Sequence, residues 1–408
     1  MIHIATDILS YFGVGFKWFF AKLERIMQSI GIICEYNPFH KGHQKQLRMI
    51  RERFGEEAAI VCGMSGDFVQ RGEPALYPAS VRAKAAVLAG ADLVLELPLT
   101  YSLRSAEGFA DGGVEILSEL GVVEHLCFGC ERQEGLTETA RVLCTEEFSA
   151  ELKKQLETGI SFASARQRAL EAMGCDGTVI ETPNNILGVE YCKAILRRQS
   201  RLQPMPILRQ GSYHDEIPDA ENPSAASLRK TEDFLPYVPR ETAPCYEGQP
   251  QYRREYGERA MLARLRTMTE EEFSQVPYGS EGLWSKVMRL CRQGGSVEEI
   301  LQGAKSKRYA YTRLSRLLMC AFLGISQQLL EKRAPYVRIL ALSGRGRALL
   351  RQAKAGSSLT LLHAGERPSA CEYAEAEVRA ALCYDLFCEH PNYRKYREED
   401  TVFCAEKM

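Results

Sequence analysis

The sequence lacks an unbroken apolar run that could cross a membrane. Its most apolar stretch, residues 1–26, is interrupted by Asp7 and Lys17, whereas a spanning helix needs about 20 consecutive apolar residues. No small-residue cleavage site follows this stretch, which argues against a secretory signal peptide. We therefore predict a cytoplasmic protein without a membrane partner, with Met27 as its natural start and residues 1–26 as an N-terminal extension.

An excess of charge of one sign is also missing. The formal net charge of -1 neither indicates nor excludes nucleic acid, because a basic region can lie inside a neutral total. Of the 408 residues, 45% are hydrophobic and 26% are charged, as in soluble globular proteins. The length exceeds one ordinary hydrophobic core and predicts two domains.

Cysteine is abundant, but the Cys-x-x-Cys pair at Cys127 and Cys130 has no second pair to accompany it. A metal or redox role would need such a pair or a suitable helix after the first. The fourteen cysteines are scattered, and without a secretory signal we expect reduced thiols. We interpret Cys127 and Cys130 as buried structural thiols and predict no metal site.

The strongest chemical signal is the stretch Gly31-Ile-Ile-Cys-Glu-Tyr-Asn-Pro-Phe-His-Lys-Gly-His43. It has the pattern of a short apolar strand that turns and then enters a helix through His40 and His43. Backbone N–H groups at a helix N-terminus bind anions, and histidines there can donate hydrogen bonds to phosphate oxygens. Gly42 would let the chain pass close to a phosphate. We predict a nucleotide site that acts at the α-phosphate.

Two other kinds of site are disfavoured at this stretch. A Walker loop is excluded because no Gly-Lys-Ser/Thr follows. Zinc is the rival functional interpretation, but two histidines three residues apart without a nearby third ligand make a poor zinc site. The simplest alternative is a pair of polar surface histidines, which the strand before them and the helix after them make less favourable.

Short apolar stretches alternate with helical patterns along the first half of the chain. They lie at Ala58–Cys62, Leu93–Leu97 and His125–Phe128, and a last strand is predicted at Met205–Arg209. Repeats of this size predict parallel βαβ units and an α/β fold. After about residue 235 the pattern changes to helices, so we expect a nucleotide-binding domain at 27–235 and a mainly helical region at 236–408.

Several polar positions follow the predicted strands, where ligands bind in open α/β sheets. The glycine-rich loop 63–74 is expected to face a substrate. Gly129 either lets a base or ribose approach the backbone or is a simple turn glycine. The guanidinium of Arg209 suits a phosphate or a ring face.

Two helix starts also carry polar residues. One of Asn184 and Asn185 is expected to cap its helix, while the other reaches a ligand. Ser224 or Ser227 is expected to cap a second helix that carries Arg229 in its first turns. A cation there opposes the helix dipole, which makes sense if an anion such as pyrophosphate binds between them.

A basic region lies within residues 301–350, where ten Lys or Arg residues face one acid, Glu331. Cations can neutralise phosphates, and the interleaved tyrosines can stack on unpaired bases. The alternative is a solvated helix face. We favour nucleic-acid binding, with candidate contacts at Lys305, Lys307, Arg308, Tyr309, Arg313 and Arg316.

Taken together, these motifs resemble the bacterial tRNA(Met) cytidine acetate ligases, within the His-x-Gly-His nucleotidylyltransferases. Besides residues 31–43, the similar stretches are Ser65–Pro74, Ala91–Pro98, Pro183–Gly188 and Lys307–Tyr309. Two positions depart from the family pattern. Cys130 stands where the family has serine, and Ala226 removes a hydroxyl from a Ser-Ala-Thr helix start, which Ser227 either does or does not replace.

The resemblance implies a Rossmann-like nucleotidyltransferase domain, a helical tRNA-binding region and a two-step reaction. Acetate attacks the α-phosphate of ATP to give acetyl-adenylate. The N4 amine of the wobble cytidine in elongator tRNA(Met) then takes the acetyl group. From the chemistry of the first step we assign the catalytic roles to His40 and His43 and expect Mg²⁺ alongside ATP to neutralise charge. No protein partner is expected. The implied ATP contacts are Ile33, Cys34, Glu35, Tyr36, Asn37, Pro38, Phe39, His40, Lys41, Gly42, His43, Gln44, Lys45, Gln46, Gly129, Asn184, Arg209, Ser227 and Arg229.

Two rival functions remain open from the residues. A small-molecule nucleotidylyltransferase would release a stable nucleotide product and would have no use for the basic region. A non-catalytic tRNA-binding protein on the same scaffold would bind tRNA without releasing pyrophosphate. The Lys305–Arg316 stretch argues against the first, and the intact His40 and His43 argue against the second.

Overall fold

The structure is a computed structural model of the chain. It describes residues 28–209, 219–231, 233–353, 356–363, 366, 368–391 and 402–405. The extension predicted at residues 1–26 and the start predicted at Met27 lie outside these residues.

A mixed sheet forms the centre of the molecule, and a small hairpin lies beside it. The strands are β1 (Ser29–Cys34), β2 (Ala59–Ser65), β3 (Phe68–Val69), β4 (Glu73–Pro74), β5 (Leu93–Leu97), β6 (His125–Cys130), β7 (Gln203–Leu208), β8 (Val337–Ser343), β9 (Leu361–Leu362) and β10 (Phe403–Ala405). The sheet order is β10-β8-β5-β2-β1-β6-β7, with β9 paired to β8 and β3 paired to β4 in the hairpin. The run from β5 to β7 is entirely parallel, which confirms the predicted α/β class.

Seventeen α-helices lie within the described residues and connect or extend these strands. They are α1 (Lys41–Phe54), α2 (Ala79–Leu88), α3 (Leu99–Ser102), α4 (Ala106–Glu119), α5 (Leu136–Leu143), α6 (Glu146–Glu157), α7 (Phe162–Ala172), α8 (Pro183–Arg197), α9 (Ala225–Leu228), α10 (Arg254–Thr267), α11 (Glu270–Ser274), α12 (Leu283–Gln293), α13 (Val297–Ala304), α14 (Tyr311–Leu323), α15 (Gln327–Glu331), α16 (Gly344–Ala353) and α17 (Glu372–Tyr384). Within the same residues, no helix is long and apolar enough to span a bilayer.

Helices cover both faces of the parallel strands. Ile30 and Ile32 of β1 point into a core that contains Leu47 and Ile50 of α1. Ile33 of the same strand points into the opposite core. Successive side chains of a strand face opposite sides, so both faces of the sheet are apolar because both are covered.

The prediction that Met205–Arg209 forms the last strand is wrong. β8 follows far along the chain and pairs antiparallel with β5. Its buried positions alternate with half-buried ones over most of its length, as expected for a strand near the edge of a sheet. β8 removes the exposed edge that β5 would otherwise present. Residues after 236 therefore contribute strands to the sheet as well as helices.

The later helices build a core of their own. Buried residues of α10, α12 and α14, such as Leu265, Val287 and Leu317, pack together there. Phe68 of the β3–β4 hairpin and Leu103 belong to the same core. The hairpin is therefore anchored in the helical region although it follows β2 of the central sheet.

All fourteen cysteines are free. Cys127 and Cys130 lie in β6 and are buried, which confirms their interpretation as buried thiols. Burial raises the pKa of Cys127 to about 12 and that of Cys130 to about 11. These thiols are therefore protonated and unreactive at neutral pH.

Candidate active site

The strand order creates a switch point between β1 and β6. β2 and β5 lie on one side of β1, whereas β6 and β7 lie on the other. Ligands of open α/β sheets bind outside the carboxyl ends of the strands at such a point. β1 ends at Cys34 and β7 at Leu208, so the segments after them carry His40, His43 and Arg209 to the same edge.

The two histidines stack on each other at the start of α1. Their ring centroids are 3.6 Å apart with an interplanar angle of 24°. The backbone N–H of His40 donates to Nδ1 of His43 at 3.3 Å. Since Nδ1 accepts, the proton of a neutral His43 lies on Nε2, which leaves that nitrogen a hydrogen-bond donor.

Both imidazoles are held neutral. Burial lowers the pKa of His40 to about 3, with Arg209 and Arg229 adding to the effect. Burial, His40 and Arg209 also lower the pKa of His43 well below its usual value. Nδ1 of His40 is buried and has no hydrogen-bond partner among the described residues. At neutral pH the pair therefore presents neutral N–H donors.

Two arginines, Arg209 and Arg229, converge on this pair of histidines. Burial lowers the pKa of both guanidiniums from the usual arginine value. Arg209 Nη1 donates to Oδ1 of Asn184 at 3.4 Å, and Arg229 Nη1 donates to the carbonyl of Asn37 at 2.9 Å. Neither forms an ion pair with a carboxylate of the described residues. Cations in this state bind an incoming anion favourably, because their charge is only partly balanced.

Glycine makes room for other side chains at two positions of this site. A Cβ on Gly129 would lie 3.0 Å from Cγ of Arg209, so this glycine lets the arginine lie across β6. A Cβ on Gly42 would lie 3.0 Å from Cε1 of His40. The His40 ring therefore occupies the space beside Gly42, where the sequence analysis had expected a phosphate.

Neither asparagine of the predicted pair caps its helix. Thr182 is the N-cap of α8, and both asparagines lie within the first turn. Asn184 bridges Arg209 and the carboxylate of Glu131. Asn185 is buried, and its Oδ1 accepts the backbone N–H groups of Glu131 at 2.9 Å and Arg132 at 3.1 Å. Asn185 therefore shapes the loop after β6, while Asn184 orients Arg209.

The second helix start confirms the predicted cap but not the predicted position of Arg229. Ser224 is the cap, accepting the N–H of Ser227 at 3.1 Å. The hydroxyl of Ser227 donates to the carbonyl of Ser224 at 2.9 Å and is buried. Because α9 has only four residues, Arg229 follows its C-terminus. A cation is favourable there, so the argument from an opposed dipole was wrong.

Many of the other expected ATP contacts have their side chains engaged inside the protein. Ile33, Tyr36 and Phe39 are buried in the cores. Asn37 Oδ1 accepts the N–H of Leu76 at 2.7 Å. The remaining contacts tie α1 to neighbouring segments: Lys41 to Ala220, Gln44 to Glu241, Lys45 to Asn222 and Gln46 to Cys127. The side chains of Ile33, Tyr36, Asn37 and Phe39 are buried, whereas those of Lys41, Gln44, Lys45 and Gln46 are half-buried.

Arg82 is a supporting residue that the sequence analysis missed. It is fully buried in α2 and donates to the carbonyls of Tyr77 at 2.9 Å and Ser65 at 3.1 Å. Its guanidinium also reaches the carbonyls of Glu35 and Gly66. Glu35 directly follows β1, whereas Ser65 ends β2 and Gly66 follows it. Arg82 therefore holds the ends of these two strands beside the histidines. An arginine in an alanine-rich helix has no sequence feature that distinguishes it from a solvated one.

The loop at residues 63–74, expected to face a substrate, bridges the site and the helical region. The N–H of Gln70 donates to Oε1 of Glu35 at 2.9 Å. On the other side, Ser315 Oγ of α14 donates to the carbonyl of Gly72 at 3.1 Å. Gly72 has a φ of +74°, and a Cβ there would lie 2.6 Å from the backbone nitrogen of Arg316. Only glycine permits this close approach.

The basic residues expected to bind tRNA fall into two groups. Lys305, Lys307 and Arg308 are exposed. Arg316 is buried and donates to the carbonyl of Gln70 at 3.3 Å. The Arg316 side chain therefore contacts the loop at residues 63–74 and has little exposed surface to offer to tRNA.

The other two members of that set serve partly as internal contacts. Arg313 is half-buried and donates to the carbonyl of Tyr278 at 3.2 Å and 3.0 Å. Tyr309 is half-buried, lies 5.1 Å from the Arg313 guanidinium and donates to Glu281 at 3.4 Å.

Acid should destabilise the protein through His40, and His40→Gln should reduce that effect. An unfolded histidine titrates near about 6.5, so between this value and about 3 the unfolded chain binds a proton that the folded chain does not. The stabilisation that comes from keeping His40 neutral is fully present above about pH 6.5. It is lost as the pH falls toward the folded-state pKa of about 3. Linkage gives a loss of about 2–3 kcal/mol at about pH 4.5.

Urea unfolding at about pH 7.5 and about pH 4.5 measures this prediction. The loss on acidification should be smaller by that amount in His40→Gln than in the wild type. The exposed His363 provides a control for the exchange of histidine for glutamine, because a surface substitution should change the unfolding free energy by less than about 0.5 kcal/mol. Identical pH dependence in wild type and His40→Gln would contradict a neutral buried His40.

Comparison with known proteins agrees with this geometry. A profile of the family described as HIGH Nucleotidyl Transferase matches residues 27–399. A tRNA(Met) cytidine acetate ligase of Acetivibrio thermocellus is 34% identical, over 92% of this chain and 99% of that relative. One of Clostridium kluyveri is 37% identical, over 82% of this chain and 88% of that relative. The chain belongs to the tRNA(Met) cytidine acetate ligase family.

Solved structures of this ligase family share the fold. The apo crystal structure of Thermotoga maritima TmcAL superposes with a TM-score of 0.85 at 27% identity, covering 93% of this chain and 100% of that chain. The structure of TmcAL bound with alpha-thio ATP has a TM-score of 0.83 over the same coverage. Family membership makes this protein an enzyme of the ligase class and confirms the resemblance stated from the motifs.

Proposed function

We propose that the protein activates acetate with ATP and transfers the acetyl group to N4 of the wobble cytidine in elongator tRNA(Met). The observation that carries this proposal is the site at the β1–β6 switch point. Two neutral histidines converge there with two arginines that form no ion pair with a carboxylate among the residues that the structure describes. Such a set of donors and cations suits a triphosphate. The acyl and tRNA substrates of this proposal are those of the relatives, which are named tRNA(Met) cytidine acetate ligases.

In the first step a carboxylate oxygen of acetate attacks the α-phosphorus of ATP. The bond from that phosphorus to the bridging oxygen breaks, and pyrophosphate leaves with its electron pair. Acetyl-adenylate remains. Negative charge moves onto the leaving pyrophosphate, where Nε2–H of His43 and the guanidiniums of Arg209 and Arg229 can stabilise it.

Mg²⁺ would enter this step with the nucleotide. Within the described residues, no group of three or more His, Cys, Asp or Glu side chains could hold a metal ion. Mg²⁺ commonly keeps several waters and binds through substrate phosphates. We therefore assign it to oxygens of the triphosphate, with Arg209 and Arg229 supplying the positive charge from the protein.

In the second step the N4 amine of cytidine attacks the acyl carbon of acetyl-adenylate. The amine loses a proton, AMP leaves and an amide bond forms. The exposed Lys305, Lys307 and Arg308 offer contacts for tRNA phosphates, and Tyr309 lies beside them. The hairpin at Gly72 joins this part of the helical region to the nucleotide site.

ATP–pyrophosphate exchange without tRNA tests the proposal. Labelled pyrophosphate should enter ATP only when acetate and Mg²⁺ are both present, because return of pyrophosphate to acetyl-adenylate re-forms ATP. Addition of tRNA(Met) should then give N4-acetylcytidine at the wobble position. Acetate-independent exchange, or exchange that requires a different metabolite, would overturn acyl activation.

The same experiment separates the two rival functions. A small-molecule nucleotidylyltransferase would accumulate a stable nucleotide product and ignore tRNA. A non-catalytic tRNA-binding protein would show no exchange with or without tRNA(Met), although it would bind the RNA.

A further inference from the structure

Helix α12 has one apolar and one cationic side. Leu283, Val287 and Cys291 are buried in the core of the helical region. Residues three apart lie on one side of a helix, and on the solvent side of α12 these are Lys286, Arg289 and Arg292. We call these three residues the α12 cationic face.

The segment that contains the α12 cationic face has no acidic residue to neutralise its positive charge. No Asp or Glu occurs between residues 282 and 297. Arg289 and Arg292 are exposed and form no hydrogen bond or ion pair with any residue that the structure describes. Three like charges on one helix face repel one another, so a polyanion that bridges them would be stabilised.

The face continues into the loop that carries the exposed lysines. Lys286 Nζ donates to the carbonyl of Ala304 at 3.2 Å, and Ala304 ends α13 directly before Lys305. Lys305 and Lys307 are exposed and likewise have no partner among the described residues. The nearby acid Glu281 is already neutralised by Arg308, at 2.6 Å. The acids of α13 between the two stretches are also engaged, Glu298 with Arg254 at 3.2 Å and Glu299 with the backbone N–H of Gly295 at 2.6 Å.

The shape and chemistry of the α12 cationic face fit a phosphate backbone. An open depression of about 420 Å³ is lined by Ser285, Lys286, Met288, Arg289, Arg292 and Gln293. Hydroxyl, amide, ammonium and guanidinium groups are the side-chain donors that bind phosphate oxygens in nucleic acids. From Lys286 to Arg292 the helix rises by about 9 Å, so the three cations form a row along one side of α12.

We propose that the α12 cationic face binds the sugar–phosphate backbone of the tRNA, as a contact additional to the loop at residues 305–309. The inference rests on the proposed function, in which tRNA is the acceptor. Because it uses phosphates, this contact is independent of the tRNA sequence. It supplies affinity and orientation, whereas choice of tRNA(Met) depends on other contacts.

The test is binding of tRNA(Met) and an unrelated tRNA to the full chain carrying Arg289→Ala and Arg292→Ala. Titrations between about 50 and 200 mM salt should show an affinity lower by about tenfold at low salt for both RNAs. The slope of log affinity against log salt should become shallower by about one to two. Acetate-dependent ATP–pyrophosphate exchange without tRNA should be unchanged, which verifies folding and an intact nucleotide site.

Two matched variants isolate the effect of charge at this place. Arg168→Ala with Arg201→Ala removes two exposed arginines of the nucleotide-binding part and should leave the affinity and salt slope unchanged. Arg289→Lys with Arg292→Lys keeps the charge and should restore most of the affinity. A lysine variant as weak as the alanine variant would overturn electrostatic binding to phosphates.

Other outcomes would also overturn the proposal. Unchanged binding in the alanine variant, together with weaker binding in Lys305→Ala with Lys307→Ala, would assign the tRNA to the loop alone. A loss confined to tRNA(Met) would indicate base recognition. If the wild type binds no tRNA at all, the proposed function fails as well, whereas the preceding outcomes leave it intact.

Discussion

His43→Ala is expected to lower acetate-dependent ATP–pyrophosphate exchange by about 10²–10³-fold, the usual effect of removing one donor to a developing oxyanion. Nδ1 of His43 accepts the N–H of His40 at 3.3 Å, so Nε2 carries the proton and is the donor that alanine removes. The histidine is neutral because burial lowers its pKa. Binding of tRNA should survive, since the exposed lysines lie in another part of the chain.

A second histidine in the same sheet provides the control. His125 begins β6 and therefore lies at the amino end of that strand, opposite the switch point. His125→Ala should leave the exchange rate unchanged. If His43→Ala loses exchange and tRNA binding equally, the cause is a folding defect and the assignment of His43 to phosphate fails.

Arg82→Met is expected to destabilise the protein by about 3 kcal/mol. Methionine fills much of the arginine volume but leaves the carbonyls of Ser65 and Tyr77 without their donor, together with those of Glu35 and Gly66. A buried acceptor without a partner costs about 1–3 kcal/mol, and removal of a buried charge offsets part of the sum. Because two of these carbonyls follow β1 and β2, the affinity for ATP should fall as well.

Urea unfolding and ATP binding measure the two parts of this prediction. Arg48→Met is the matched control, because Arg48 is exposed on α1 and its side chain forms no hydrogen bond or ion pair with the described residues. It should change the unfolding free energy by less than about 0.5 kcal/mol. A similarly small change in Arg82→Met would show that the four carbonyls do not depend on the guanidinium.

The candidate site was only partly predictable from the sequence. The residues between Gly31 and His43 predicted a strand, a turn and a helix start, and these are local features that neighbouring residues determine. The convergence of Arg209 and Arg229 was not predictable as a geometry. Their side chains reach the histidines through contacts such as Arg229 to Asn37, which are 192 residues apart.

Basic residues with similar sequence surroundings differ in how deeply the fold buries them. Arg82, Arg316 and Lys307 are all basic residues in or beside helical patterns, yet the first two are buried and the third is exposed. The burial of Arg316 depends on Gly72, whose carbonyl accepts from Ser315, 243 residues further along the chain. No local pattern reports such a contact.

The sequence by itself determined the α/β class, the parallel strands that flank the first turn and the family, because apolar periodicity and short motifs are properties of neighbouring residues. Only the tertiary structure decided that β8 closes the edge beside β5. It alone also decided which cations surround His40 and His43, and that Arg289 and Arg292 of the α12 cationic face are exposed. The physical reason is that burial and ion pairing are set by segments distant along the chain.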